Sequence, residues 1–382
     1  MTRVPPRGFI VRHSAVVVCK PTTTLSTSLL TKYPGPCESA FEGVTASVGP
    51  PSARSAACAR LASESNRDVF SVGSASSREK SPANGETSPR GKISPSNTQR
   101  VPTRWRACRA RFASRERGRW TEKACAMVGR VHSIDSFTAV DGHGIRLIAF
   151  LQGCRKRCAF CCNVDSTNAS ASKGMAMTVD GVLSKLARNR KYYAASGGGL
   201  TLSGGECLLQ PDFVKALATG SKALGLTTAI DTAAEGNETV WNEILPHVDI
   251  VLLCVKSTNR AKYHRITGTD ADEYDTMRNF LRELDRRKID TWLRFVLMTD
   301  DDERFQQYRT NDADELRDLA ALAKSHDGCV RGVELLPYHR FGVYKFAELG
   351  LEYKLDGMKT PTIDEIQRAV DFLRAEGVTV VY

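Results

Sequence analysis

The segment GCRKRCAFCCN, residues 153 to 163, places four cysteines within nine positions, with Arg155, Lys156 and Arg157 between the first two. Thiols at this density can form a disulfide, close a structural zinc site or ligate an iron–sulfur cluster. Twelve cysteines with a single tight group do not make a disulfide framework. Zinc asks for four ligands, commonly in two separated pairs, and no second pair follows. Positions 154, 158 and 161 could also form one face of a buried helix, but Gly153 and the run of basic residues make a helix there unattractive. Cys154, Cys158 and Cys161 have the spacing C-x3-C-x2-C, and Cys162 is extra. A cubane cluster needs a ligand on every iron, so three thiolates would leave one iron open to something other than protein.

Such a loop must be positioned by regular elements, and the pattern for them begins at Met127. Apolar runs at 146–153, 199–205, 227–232, 249–255, 291–298 and 330–338 read as strands. Helix-like segments lie between them, among them TVDGVLSKLARNRKYY, QPDFVKALATGSKALG, DEYDTMRNFLRELDRRK and DADELRDLAALAKSH. Alternating strands and amphipathic helices imply parallel strands with right-handed crossovers. Six such units, closed by VTVVY, are too few for an eight-unit barrel, so the expected class is α/β, a partial (β/α)6 TIM-like barrel. In that architecture chemistry gathers at the carboxyl ends of the strands, where the cysteine loop lies.

The chain has 382 residues and a formal charge of +11. Residues 1 to 126 hold 21 Lys and Arg against 8 Asp and Glu, so the basic excess belongs to this leader and the body is close to neutral. That distribution argues against a nucleic-acid-binding domain. No apolar run approaches the ~18 residues of a membrane span. The leader is rich in Ser, Thr, Ala and Arg without apolar periodicity, which predicts disorder. Its acid-poor character suits an organelle transit peptide, which implies a chloroplast or mitochondrion of a eukaryote; read as a low-complexity tail, it leaves a cytoplasmic protein as the alternative. The expected division is therefore a leader over 1–126 and one domain over 127–382.

These residues resemble a known family, the radical S-adenosylmethionine (SAM) enzymes, whose C-x3-C-x2-C loop holds a [4Fe-4S] cluster. Within it the similarity is to the glycyl-radical activases that act on pyruvate formate-lyase, over about residues 129 to 382. It is carried by GRVHSIDSFTAVDGHGIRLIAFLQGC, by ASGGGLTLSGGECLLQ, and by ELLPYHRFGVYKF followed by LEYKLDGMKTP. The resemblance implies cluster ligation by Cys154, Cys158 and Cys161, and Phe160 near the adenine. Ser203, Gly204, Gly205 and Glu206 would receive the methionine amino group. Lys256, Arg294 and His339 would contact SAM, and DGHGIR would lie near the peptide substrate. Asp231 and Thr232 match a pair that helps to hold a monovalent cation, but Cys254 stands where the family has Asp. Cys162, His143, Ala233 and TDDDE likewise depart from the family pattern, which has His, Pro, Asn and Pro-Gly in those places. The implied activity is generation of a 5′-deoxyadenosyl radical from SAM, which takes a hydrogen atom from a backbone glycine of pyruvate formate-lyase. A flavodoxin- or ferredoxin-like electron donor is implied as a second partner. The same motifs would serve the activase of another glycyl-radical enzyme, or a radical-SAM-like protein of impaired turnover.

Overall fold

The computed structural model describes residues 122 to 167, 174 to 270 and 272 to 382. The leader expected over 1–126 therefore lies outside the described residues up to position 121. Its last residues, Glu122–Ala126, form a short helix, α1, that runs directly into the first strand.

Nine strands follow: β1 (Val128–Thr138), β2 (Arg146–Leu151), β3 (Met175–Thr178), β4 (Gly199–Gly204), β5 (Thr227–Thr232), β6 (Ile250–Cys254), β7 (Asp290–Leu297), β8 (Val330–Pro337) and β9 (Val380–Val381). Strands β2, β4, β5, β6, β7 and β8 pair in that order and all in parallel, with β9 parallel beside β8. This is the partial (β/α)6 barrel expected from the alternation of apolar runs and helices. Two strands were not expected: β1 pairs antiparallel with β2, and β3 antiparallel with β1, extending one edge. β1 hides in the sequence because VGRVHSIDSFT alternates buried and exposed positions, with few of the apolar residues that mark the central strands.

Between the strands lie α2 (Val179–Arg188), α3 (Arg190–Ala195), α4 (Pro211–Ala223), α5 (Glu238–Ile244), α6 (Arg260–Thr267), α7 (Asp272–Arg287), α8 (Ala313–Lys324), α9 (Val343–Glu348) and α10 (Ile363–Ala375). The segment read as one helix over 178–193 breaks at Asn189, between α2 and α3. Local signals fix several boundaries. Thr178 caps α2 by accepting from the Gly181 amide, Pro211 opens α4, and Thr362 with Glu365 forms a capping box on α10.

Side chains on the parallel strands point alternately outward and inward. Leu147, Ala149, Leu151, Leu200, Leu202, Leu293 and Phe295 belong to the main apolar core. Among the alternate positions several are polar and still buried: Arg146, Thr201, Ser203, Arg294 and Glu334 are each less than 5% exposed. At the amino end of this inner face Arg146 is fully buried. It donates to Thr201 Oγ1 (2.7 Å), Leu200 O (2.7 Å), Thr227 Oγ1 (3.0 Å) and His143 O (2.9 Å), tying β2, β4, β5 and the DGHGIR turn together. Buried acceptors keep their value only while the donor is present. Arg146→Met is therefore expected to destabilise the protein by roughly 3 kcal/mol, through unsatisfied carbonyls and imperfect packing, read as a shift in the urea midpoint.

Candidate active site at the carboxyl ends of the strands

The loop after β2 carries the cysteines and is held at several places. At its neck the Gly153 amide donates to Ser166 O (2.7 Å) and the Cys154 amide to Thr167 O (3.2 Å). Along its length the amides of Arg157 and Ala159 donate to Thr267 O (2.7 Å) and Ile266 O (2.8 Å) at the end of α6. The Arg157 guanidinium turns back onto Cys154 O and Lys156 O, at 2.8 and 2.9 Å. Two glycines make the close approach possible. A Cβ at Gly205 would sit 2.2 Å from Gly153 O, and one at Gly342 would sit 2.5 Å from Cys162 Cα and O. The Ser-Gly-Gly segment and the chain before α9 thus clasp the loop by backbone contact.

Cys154, Cys158 and Cys161 line one cavity. Strand ends bring the other expected residues to its wall: Ser203, Gly204 and Gly205 from β4, Asp231 and Thr232 from β5, Lys256 after β6, and Arg294 from β7, with Phe160 from the loop itself. Glu206 and His339 are the expected residues outside that lining. Glu206 is 1% exposed and turned inward: Oε1 accepts from Thr232 Oγ1 (2.6 Å) and the Leu208 amide (3.0 Å), and Oε2 from the Ala233 amide (2.8 Å). It thus braces the end of β4 against the end of β5. His339 is half-buried and stacks on Phe341, with ring centres 4.8 Å apart.

Sequence reasoning missed several contributors. Arg294 Nε donates to Glu334 (2.7 Å), Nη1 to Asp231 (3.1 Å), and Nη2 to Val140 O (2.9 Å) with Asp141 Oδ1 at 3.4 Å. Glu334 is fully buried and Asp141 nearly so, which makes one guanidinium the centre of a cage of three carboxylates. Asp141 lines the cavity and its other oxygen accepts from Thr138 Oγ1 (2.6 Å). Lys156, between two of the cysteines, is 1% exposed and its ammonium lies 2.5 Å from Glu273 Oε2 on α7. No short-range motif marks either network, since every partner is distant in sequence.

Lys256 holds its ammonium 5.3 Å from the centre of the Phe160 ring and forms no salt bridge among the described residues. Burial disfavours its charge, but Cys254, Cys158 and Asp231 outweigh that and raise its pKa above the ordinary lysine value. Cys254 Sγ lies 3.5 Å from Asp231 Oδ1, as a donor. Burial pushes the Cys254 and Cys162 thiols up to about 12. Burial, with the neighbouring thiols, also raises Cys154 and Cys161. Without a metal these are thiols, and metal loading must release their protons. Three thiols that line one cavity with the Lys256 ammonium and a glycine-bearing strand end suit an iron–sulfur cluster with an amino-acid-like ligand beside it.

The fold and the cysteine loop thus define an iron–sulfur protein on a partial barrel, and residues 140–269 match the family model described as a 4Fe-4S single cluster domain. A pyruvate formate-lyase-activating enzyme of Clostridium pasteurianum is 37% identical over 248 residues, covering 65% of this chain and 98% of that protein. The enzyme of the same name from Staphylococcus aureus (strain USA300) is 34% identical over 255 residues, 65% of this chain and 96% of the relative. Among solved structures, a domain of a pyruvate-formate lyase-activating enzyme from Bacteroides vulgatus aligns at 20% identity with a TM-score of 0.39, covering 48% of this chain and 98% of that domain. The chain belongs to the pyruvate formate-lyase-activating enzyme family.

Glu235, on the loop after β5, is 1% exposed, and neither of its carboxylate oxygens has a hydrogen-bond partner among the described residues. Burial, then the charge of Glu206, pushes its pKa from 4.5 up to about 7. The folded state therefore keeps this proton to higher pH than the unfolded state, so its contribution is fully present below 4.5 and is lost as pH rises through about 7. The metal-free protein is expected to lose on the order of 1–3 kcal/mol over that range from this group. Glu235→Gln should flatten the profile and be the more stable protein at alkaline pH. Parallel urea titrations across the range check this, and equal slopes in the two proteins would contradict it.

Proposed function

We propose that the protein activates pyruvate formate-lyase by generating a glycyl radical on it, with a [4Fe-4S] cluster held by Cys154, Cys158 and Cys161 and SAM bound beside it. The observation that carries this reading is that the three thiols line the same cavity as Ser203–Gly205, Asp231, Lys256 and Arg294. When bound, the cluster and SAM together supply one-electron cleavage of the sulfonium and a 5′-deoxyadenosyl radical able to take a hydrogen atom from glycine.

The chain's own residues bind, orient and shield. Lys256, a buried cation with no salt bridge among the described residues, is assigned to the SAM carboxylate. Gly204 and Gly205 let the strand end approach the ligand without side chains in the way. Glu206, outside the lining, braces the end of β4 so that the Ser-Gly-Gly segment before it can meet the SAM ammonium. Arg294 fixes Asp231 at the cavity wall and Asp141 beneath it. Phe160 offers its face to the adenine, with Ile266, Val296, Leu336 and Tyr338 forming an apolar backing that excludes water. His339, one residue beyond Tyr338, is assigned to the nucleoside end. With a thiol at 254 in place of a carboxylate, a monovalent cation beside Asp231 would be held weakly. Arg155 and Arg157 are exposed on the cysteine loop and would suit the acidic surface of a flavodoxin- or ferredoxin-like donor.

After anaerobic reconstitution, alanine at Cys154, Cys158 or Cys161 is expected to abolish the brown chromophore, SAM cleavage and activation of pyruvate formate-lyase. Cys162→Ala should retain all three. Loss of the chromophore in Cys162→Ala would overturn the ligand assignment, and a fully loaded wild type that leaves pyruvate formate-lyase inactive would overturn the function. We further propose that residues 1–126 target the protein to an organelle. Fused to a fluorescent protein they should direct it to a chloroplast or mitochondrion, and a diffuse cytosolic signal would refute this.

A further inference from the structure

The return limb of the cysteine loop carries a buried ionic group that ligand binding does not use. Asp165 Oδ1 lies 2.9 Å from Lys345 Nζ on α9, and Oδ2 lies 3.0 Å from His132 Nε2 on β1. The side chains of Lys345, His132 and Asp165 are 3%, 6% and 14% exposed. Lys345 Nζ also donates to Asn163 Oδ1 (3.2 Å), a cavity-lining side chain two residues beyond Cys161. Gly342, three residues before Lys345, rests against the Cys162 backbone. A lysine 180 residues away in sequence therefore lies behind the cavity-lining Asn163, outside the lining itself, paired with one carboxylate on the cysteine loop.

From this placement we propose that the Lys345–Asp165 pair tunes the reduction potential of the cluster. The inference rests on the cofactor reading above. A reduced cluster carries one more negative charge than an oxidised one, and nearby fixed charge and solvent exclusion set its potential. Buried charges are little screened by solvent, so they act on the cavity at longer range than surface ones. Lys345 favours the reduced form and Asp165 opposes it. With both present the two largely offset each other, and removing either leaves the other uncompensated. The remaining cations near the cavity are placed differently. Lys156 is paired with Glu273, Arg294 is held among Asp141, Asp231 and Glu334, Lys256 faces the ligand space, and Arg155 and Arg157 lie in solvent.

The pair predicts shifts of opposite sign, which a purely structural clamp does not. In redox titrations of the reconstituted holoprotein at one fixed pH, followed by electron paramagnetic resonance, Lys345→Met should move the midpoint to more negative potential and Asp165→Asn to more positive. The double variant should return close to wild type, and Lys345→Arg, which keeps the charge and is the more conservative change for folding, should stay there. Shifts of the same sign in the two single variants, or midpoints all equal to wild type, would overturn the proposal. A shift in Lys345→Arg as large as that in Lys345→Met would also overturn it. A wild-type protein that takes up no cluster would refute the cofactor assignment and this inference with it.

Discussion

The Arg294 guanidinium is the interaction on which the site depends. It is 4% exposed, sits on β7, and reaches Glu334 on β8, Asp231 on β5, and Val140 and Asp141 in the segment before β2. Burying a charge is costly unless partners replace the lost water, and here each face of the fork has one. The arrangement couples elements from both flanks of the sheet through a single side chain. Removing one member of such a group leaves buried charge uncompensated, at a cost on the order of 3–5 kcal/mol. Because Asp141 and Asp231 are both held by it, the shape of the cavity wall and the integrity of the inner face are one requirement.

A second constraint is backbone proximity. The cysteine loop is gripped where chain meets chain without side chains, at Gly205 against Gly153 and at Gly342 against Cys162. Gly204 adds a positive φ of 123° at the end of β4, with a Cβ there only 2.1 Å from the Leu151 amide nitrogen. The glycine-rich segment is therefore needed for the sheet to deliver the loop, in addition to any role in binding a ligand. Glu206, next in sequence, completes the grip by accepting bonds from the end of β5.

What could be read in advance follows from the range of the interactions. The central strands were legible because a strand covered on both faces is a continuous apolar run, as in RLIAFL. The cysteines and the Ser-Gly-Gly segment were legible because their chemistry lies in local spacing. β1 was not, since its outer face is open to solvent and its pattern is mixed. α6 was missed because RAKYHRIT is dominated by polar residues, and it is held by its Asn259 cap and by burial of Tyr263 and Ile266. The polar networks were the least legible. Arg146, Arg294, Lys156 and Lys345 look like ordinary surface charges in sequence, and only folding reveals partners as far as 180 residues away. Glu206 illustrates the intermediate case: its motif was visible, but its inward-facing hydrogen bonds were not.

The central claim is that one cavity holds the cluster and SAM together so that their chemistry reaches a glycine of pyruvate formate-lyase. Electron paramagnetic resonance of the reduced holoprotein, recorded alone, with SAM, and with SAM plus pyruvate formate-lyase, tests it most directly. The account predicts that SAM alters the spectrum of the reduced cluster, and that adding the partner replaces it with the doublet of a glycyl radical. A cluster spectrum indifferent to SAM, with no organic radical on the partner, would contradict it.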